Sequence, residues 1–118
     1  MMSRFSILVV EDEAAFYEIY KVVFSLIGVE LVGWAYSGEE ALAKFRELDT
    51  CPDLVVMDYR LPGMNGIETM TALTQINPEV RTLFVSADGS IEGDAISGGA
   101  IGFLQKPFEL KAFVAAIG

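Results

Sequence analysis

The chain has 118 residues, 53% of them hydrophobic, which is enough for one domain with a single core and excludes a disordered chain. Seventeen acidic against eight basic residues give a net charge of −9, which disfavours binding to nucleic acid. The chain has no histidine, so a Ser-His-Asp triad and histidine metal ligands are excluded. No apolar run is long enough to span a membrane or to act as a signal peptide, and Cys51 has no second cysteine to pair with. These features favour a cytoplasmic protein.

Short apolar runs alternate five times with segments in which apolar residues recur at helical spacing. From the N-terminus we predict a strand at 5–10, a helix at 14–27, a strand at 30–35, a helix after Ser37, a strand at 54–57 and a helix from Asn65 or Gly66 to Ile76. A strand at 81–85, a helix at 89–100, a strand at 101–104 and a helix at 108–117 follow. This order predicts one doubly wound α/β domain, a parallel sheet with helices on both faces.

Two of the predicted helices carry local signals of how they begin or how stable they are. Ser37 followed by Glu40 has the spacing of a capping box. The segment 89–100 contains four glycines, and each interior glycine costs a helix about 1 kcal/mol relative to alanine. We therefore expect this fourth helix to be the least stable one.

Polar side chains follow the carboxyl ends of four predicted strands: Glu11 and Asp12, then Asp58, Ser86 and Lys106. The carboxyl ends of parallel strands meet at one edge of the sheet, so we expect these side chains to converge. Clustered carboxylates favour a cation with oxygen ligands, such as Mg²⁺, Mn²⁺ or Ca²⁺. A lysine and a serine suit phosphate oxygens. The chemistry that fits is phosphoryl transfer onto a carboxylate.

Four motifs stand in order along the chain: Val9-Val10-Glu11-Asp12-Glu13, Asp58 with Leu61-Pro62-Gly63-Met64-Asn65-Gly66, Ser86-Ala87, and Lys106-Pro107-Phe108. With them the whole chain, residues 1–118, resembles the receiver domain of response regulators, the phospho-acceptor module of two-component signalling. The resemblance implies a flavodoxin-like sheet with the strand order 2-1-3-4-5.

The resemblance also implies a phosphorylation site and a Mg²⁺ site. Asp58 matches the phosphorylated aspartate. Asp12 matches the acid that binds Mg²⁺ together with the Asp58 carboxylate and the backbone carbonyl of Arg60. Glu11 matches an acid that helps to hold the metal, often through water. Many family members have aspartate at this position, so the longer side chain of Glu11 is a departure from the pattern.

Further residues match the parts of the family that respond to the phosphoryl group. Lys106 matches the phosphate-binding lysine, and its bond to Pro107 is expected to be cis. Ser86 matches the hydroxyl residue that moves toward the phosphoryl group. Phe103 matches the aromatic residue that changes rotamer with it, although a tyrosine is frequent there. Arg60 and Asp88 flank the site, and we expect them to pair over it and to slow the entry of water.

The function implied is a switch that accepts a phosphoryl group from a sensor histidine kinase or a phosphotransfer protein and then changes its protein-binding surface. Its output would be a downstream protein or an attached effector domain, and a phosphorylation-dependent homodimer is possible. One alternative is a receiver-like interaction module that is never phosphorylated. A small Mg²⁺-dependent phosphohydrolase is a further alternative, opposed by Arg60, because that chemistry usually needs a second acid two residues after the nucleophile. Each site residue taken alone also has an ordinary structural explanation, as a helix cap, a turn residue or a solvated charge.

Overall fold

The structure, a computed structural model, describes residues 4–117. Within this range, five strands alternate with five α-helices: β1 (Ser6–Val10), α1 (Ala14–Ile27), β2 (Glu30–Ala35), α2 (Gly38–Glu47), β3 (Leu54–Met57), α3 (Gly66–Ile76), β4 (Thr82–Ser86), α4 (Glu92–Ser97), β5 (Gly102–Gln105) and α5 (Leu110–Ile117). A short 3₁₀ helix, Gly89–Ile91, leads into α4. Among the described residues, none of the helices has the length and hydrophobicity to cross a lipid bilayer.

The five strands form one parallel sheet in the order β2-β1-β3-β4-β5, which confirms the predicted fold and strand order. The register sets the residues that follow the strands side by side. Val10 pairs with Met57, and the N–H of Asp58, the residue after β3, donates to the carbonyl of Val10 at 3.0 Å. Between the ends of β4 and β5, the N–H of Lys106 donates to the carbonyl of Ser86 at 2.9 Å. The residues of the predicted site therefore lie together at the carboxyl edge of the sheet.

Helices cover both faces of the sheet, and each face has its own hydrophobic core. Alternate residues of a strand point to opposite faces, so Leu8 and Val10 pack with the α2–α4 side while Ile7 and Val9 pack with α1 and α5. The second core contains a group of rings that we call the aromatic cluster: Phe16, Tyr20, Phe24, Phe108 and Phe113. This cluster joins α1 to α5 beneath the carboxyl edge.

The helix caps differ from the prediction in one respect. Ser37 accepts a hydrogen bond from the N–H of Glu40, but the Glu40 carboxylate accepts from the N–H of Tyr36 and not from that of Ser37. The predicted capping box is therefore only half formed. The complete one lies at α3, where Asn65 and Glu68 each accept from the other's backbone N–H.

Element boundaries were predicted to within one residue except in the fourth helix and at the start of α5, which begins two residues later than predicted. The strands β4 and β5 each begin one residue later than predicted. The predicted helix at 89–100 consists of a 3₁₀ turn capped by Asp88 and a single short α-helix that ends before Gly98. Gly99 has a φ of +112°, which favours glycine and cannot continue a helix. The Lys106-Pro107 bond is cis, as predicted.

Candidate functional site

The site is built around Asp58, the residue after β3. Its neighbours in the sheet fix its backbone, and its carboxylate is largely buried, with a side-chain exposure of 8%. A buried carboxylate is costly unless it is paired or hydrogen-bonded. The partner comes from the end of β5, where the Lys106 ammonium lies 2.9 Å from Asp58 Oδ2.

The same ammonium also pairs with Glu11, the residue after β1. Lys106 Nζ lies 2.6 Å from Glu11 Oε1, and the side chains of Lys106 and Glu11 are 7% and 1% exposed. One positive charge thus sits between two carboxylates with little contact with water. Removing the ammonium would leave two buried carboxylates without a counter-charge, so Glu11 and Asp58 both depend on Lys106.

Burial and charge together shift the proton equilibria of this group. Burial raises the pKa of Glu11 to about 7, because the loss of hydration and the nearby Asp58 charge outweigh the hydrogen bond from Lys106. Burial lowers the pKa of Lys106, but its hydrogen bonds to Glu11 and Asp58 outweigh this, so that its pKa lies above the ordinary value. Lys106 is therefore a charged ammonium at neutral pH.

Beside this group lies a cavity of about 270 Å³. Its lining consists of Asp12, Glu13, Asp58, Arg60, Ser86, Ala87 and Lys106. Carboxylate oxygens of Glu11, Asp12 and Glu13 lie within 4.8 Å of one another, the first buried and the other two exposed. All the donors are oxygens and part of the set faces water, which suits a hard cation such as Mg²⁺ that keeps some of its water ligands. The residues present therefore fit Mg²⁺, and Glu13 joins the acids predicted from the sequence.

Of the remaining predicted residues, Ser86 and Arg60 line this cavity, whereas Asp88 and Phe103 do not. Ser86 is buried, and its hydroxyl accepts from the N–H of Asp88 at 3.2 Å. Arg60 Nη2 lies 3.6 Å from Asp88 Oδ2, so the two side chains pair as predicted, with exposures of 78% and 21%. Hydrogen bonds from Ser90, with a smaller effect of Arg60, hold the pKa of Asp88 below its ordinary value. Phe103 is half-buried against the α2–α4 core and does not line the cavity. Its switching role stays a prediction.

Two aromatic residues belong to the site although the sequence analysis assigned them no role there. Phe16, on the first turn of α1, places its ring 4.0 Å from Lys106 Nζ. Trp34, near the end of β2, donates its indole N–H to the backbone carbonyl of Glu11 at 2.7 Å and stacks on Tyr17 at 4.1 Å. In the sequence both residues follow the spacing of ordinary core residues, so no local signal distinguishes them.

Gly66 allows the loop after β3 to approach the start of α3 closely, because glycine has no Cβ. A Cβ at this position would lie 2.9 Å from the ring of Phe84 and closer still to the backbone carbonyl oxygen of Asp58. We expect Gly66→Ala to lower the free energy of unfolding by about 2 kcal/mol, because the crowded backbone has to move. Gly93→Ala is the matched control, since within residues 4–117 no atom outside its own turn of helix lies within 4 Å of a Cβ there. This substitution should raise stability by up to about 1 kcal/mol. Equal urea midpoints for Gly66→Ala and the parent would contradict the prediction.

Comparison with known proteins agrees with this geometry. Residues 7–118 match the family profile described as response regulator receiver domain. The chain is 35% identical over 113 residues to a chemotaxis protein CheY from Thermotoga maritima, covering 94% of this chain and 92% of that one. It is 33% identical to the response regulator GacA of Pseudomonas viridiflava and covers 52% of that longer protein. A crystal structure of a LuxR-family two-component response regulator from Aurantimonas sp. SI85-9A1 superposes with a TM-score of 0.87 at 30% identity, over 98% of this chain and 83% of that one. The chain therefore belongs to the response regulator receiver domains of two-component signalling, a family of regulatory domains.

Proposed function

We propose that this domain is a signalling switch that accepts a phosphoryl group on Asp58 from the phosphohistidine of a sensor kinase or phosphotransfer protein. One observation carries the proposal: the Asp58 carboxylate borders a cavity that also contains acidic oxygens and a fixed ammonium 2.9 Å away. The acids suit a cation, and the ammonium suits the oxygens of the incoming phosphoryl group. This arrangement supports a nucleophile, a metal site and a phosphate site in one place.

In the proposed reaction a carboxylate oxygen of Asp58 attacks the phosphorus atom. The bond from phosphorus to the donor's imidazole nitrogen breaks, a bond to the Asp58 oxygen forms, and the donor keeps the electron pair of the broken bond. Asp12, Asp58, the Arg60 carbonyl and, through water, Glu11 would hold Mg²⁺, for which Mn²⁺ or Ca²⁺ are possible substitutes. When bound, the cation neutralises charge on the phosphoryl group. The ammonium of Lys106, 2.9 Å from Asp58 Oδ2, would donate to an oxygen of a phosphoryl group on Asp58.

The new charge then alters the surface of the domain. Ser86 is buried at the end of β4 and lines the cavity. In the proposed switch its hydroxyl moves toward the phosphoryl group and donates to it. The segment from Asp88 to Gly99 follows directly and consists mainly of a 3₁₀ turn and a six-residue helix. We therefore expect it to repack at the least cost, together with Phe103. The repacked surface selects the partner, which is a downstream protein, an attached effector domain or a second copy of the chain. We place this reaction in the cytoplasm, with residues 1–118 acting as one receiver domain.

The test is intact-mass spectrometry after treatment with acetyl phosphate, with and without Mg²⁺. We expect a gain of one phosphoryl group that depends on Mg²⁺. If Mg²⁺ binds but no mass is gained, the domain is an unphosphorylated interaction module. Turnover of a phosphomonoester would indicate a phosphohydrolase instead. A phosphohydrolase is disfavoured, because that chemistry usually needs an acid two residues after the nucleophile, and here this residue is Arg60, which pairs with Asp88.

The Arg60–Asp88 pair is expected to slow hydrolysis of the aspartyl phosphate by limiting the approach of water. Arg60→Ala and Asp88→Ala should each speed the loss of the phosphoryl group, by between about 1.5-fold and fivefold, because an exposed pair contributes little. The measurement is the decay of the phosphorylated mass after removal of the donor. Glu18→Ala breaks another exposed pair, with Lys21 on α1, and should not change the rate. Unchanged rates in both variants of the pair would refute the role.

A further inference from the structure

The ring of Phe16 packs against the Lys106 ammonium beside its two carboxylate partners. Lys106 Nζ lies 4.0 Å from the centroid of this ring, 2.6 Å from Glu11 and 2.9 Å from Asp58. An ammonium has three N–H donors, and within residues 4–117 two of them are used by the carboxylates. The Lys106 side chain is 7% exposed, so little water is left to solvate the remainder.

We propose that Phe16 is a positioning residue whose ring holds the Lys106 ammonium between Glu11 and Asp58, where the ammonium opposes a divalent cation and favours an incoming phosphoryl group. The part that concerns the phosphoryl group rests on the proposed function. The part that concerns the cation does not, because it needs only the acids and the ammonium.

The physical basis is the attraction of a cation to the negative face of an aromatic ring. This attraction is strongest when the cation is poorly hydrated, which is the case for Lys106. Phe16 is itself held in place, because its ring packs against Tyr20 at 5.8 Å and Phe108 at 6.2 Å. A leucine would fill much of the same space but has no such face. The ring thus contributes direction as well as apolar contact.

Loss of the ring should change two properties of the site in opposite directions. A less firmly held ammonium neutralises the two carboxylates less, so Mg²⁺ should bind more tightly. The same ammonium is then less well placed for a phosphoryl group, so phosphorylation should be slower. A general loosening of the site would weaken both properties. The opposite signs therefore separate a positioning role from ordinary packing.

The experiment compares Phe16→Leu, Phe16→Tyr and Phe24→Leu with the parent. Phe24 is the matched control, since it lies in the aromatic cluster on the same helix and packs against Tyr20 and Phe113. Mg²⁺ affinity is measured by titration calorimetry without a phosphodonor, and labelling by acetyl phosphate is measured at saturating Mg²⁺. We expect Phe16→Leu to bind Mg²⁺ between about twofold and thirtyfold more tightly and to be labelled more slowly by a similar factor. Phe16→Tyr, which keeps an aromatic ring, and Phe24→Leu should both keep the Mg²⁺ affinity and the labelling rate of the parent.

A spectroscopic measurement tests the contact itself. The ring current of Phe16 should shift the Lys106 ammonium protons upfield in the parent and in Phe16→Tyr, and this shift should be lost in Phe16→Leu. Phe16→Met, with a longer and more flexible side chain of similar volume, replaces Phe16→Leu if that variant does not fold. Unchanged or weaker Mg²⁺ binding in the ring-free variant, or equal effects of Phe24→Leu, would overturn the proposal. If the parent is not labelled at all, the proposed function fails, but the calorimetry and the spectra still decide the role of Phe16.

Discussion

Asp58→Asn is expected to abolish the Mg²⁺-dependent gain of a phosphoryl group completely. The amide has nearly the shape of the carboxylate, and its oxygen still accepts a hydrogen bond from Lys106. It carries no negative charge, so it neither attacks phosphorus nor binds a cation as the carboxylate does. The measurement is intact mass after acetyl phosphate treatment, combined with circular dichroism to show that the fold is kept.

Asp49→Asn is the matched control for this substitution. Asp49 is exposed, lies before β3 and does not line the cavity at the carboxyl edge, so its variant should be labelled like the parent. A phosphoryl group still found on Asp58→Asn would place the acceptor at another residue. Peptide mapping would then show whether Asp12 or Glu13 takes that role.

Lys106→Met is expected to lower the free energy of unfolding by about 3 kcal/mol in the absence of a divalent cation, at the low end for breaking a buried ion pair. Methionine keeps much of the apolar volume, so the main loss is the ammonium between Glu11 and Asp58. The loss stays at the low end because burial already raises the pKa of Glu11 to about 7, and without Lys106 this carboxyl takes up a proton more readily. Urea unfolding with and without Mg²⁺ measures the effect.

Added Mg²⁺ should restore much of the stability of Lys106→Met, because a cation that binds only the folded state stabilises it. The parent should gain less, since its carboxylates already have a positive neighbour. Lys21→Met removes an exposed ammonium that pairs with Glu18 and should change stability by less than about 0.5 kcal/mol. Equal stability of Lys106→Met and the parent without Mg²⁺ would show that the buried group is not held by its charges.

The sequence was sufficient to predict which strand ends meet, because parallel topology alone brings their carboxyl ends to one edge. Asp58, Glu11 and Lys106 converge for that reason, and their opposite charges explain why they pair. The ring of Phe16 above Lys106 was not predictable, because the contact joins α1 to the end of β5 and depends on side-chain directions that spacing does not contain. For the same reason the sequence could not show that the Glu40 carboxylate accepts from the N–H of Tyr36 instead of that of Ser37.

The hydrogen bond from Trp34 to the carbonyl of Glu11 couples tryptophan fluorescence to the candidate site. Trp34 is the only tryptophan in the chain, so its fluorescence comes from one place. Its indole N–H bonds to the residue next to Asp12, and its ring stacks on Tyr17. Movement of this loop, whether a cation or a phosphoryl group causes it, changes the surroundings of the indole. Tryptophan emission, measured without any attached dye, therefore gives a direct time course for cation binding and phosphorylation at the carboxyl edge of the sheet.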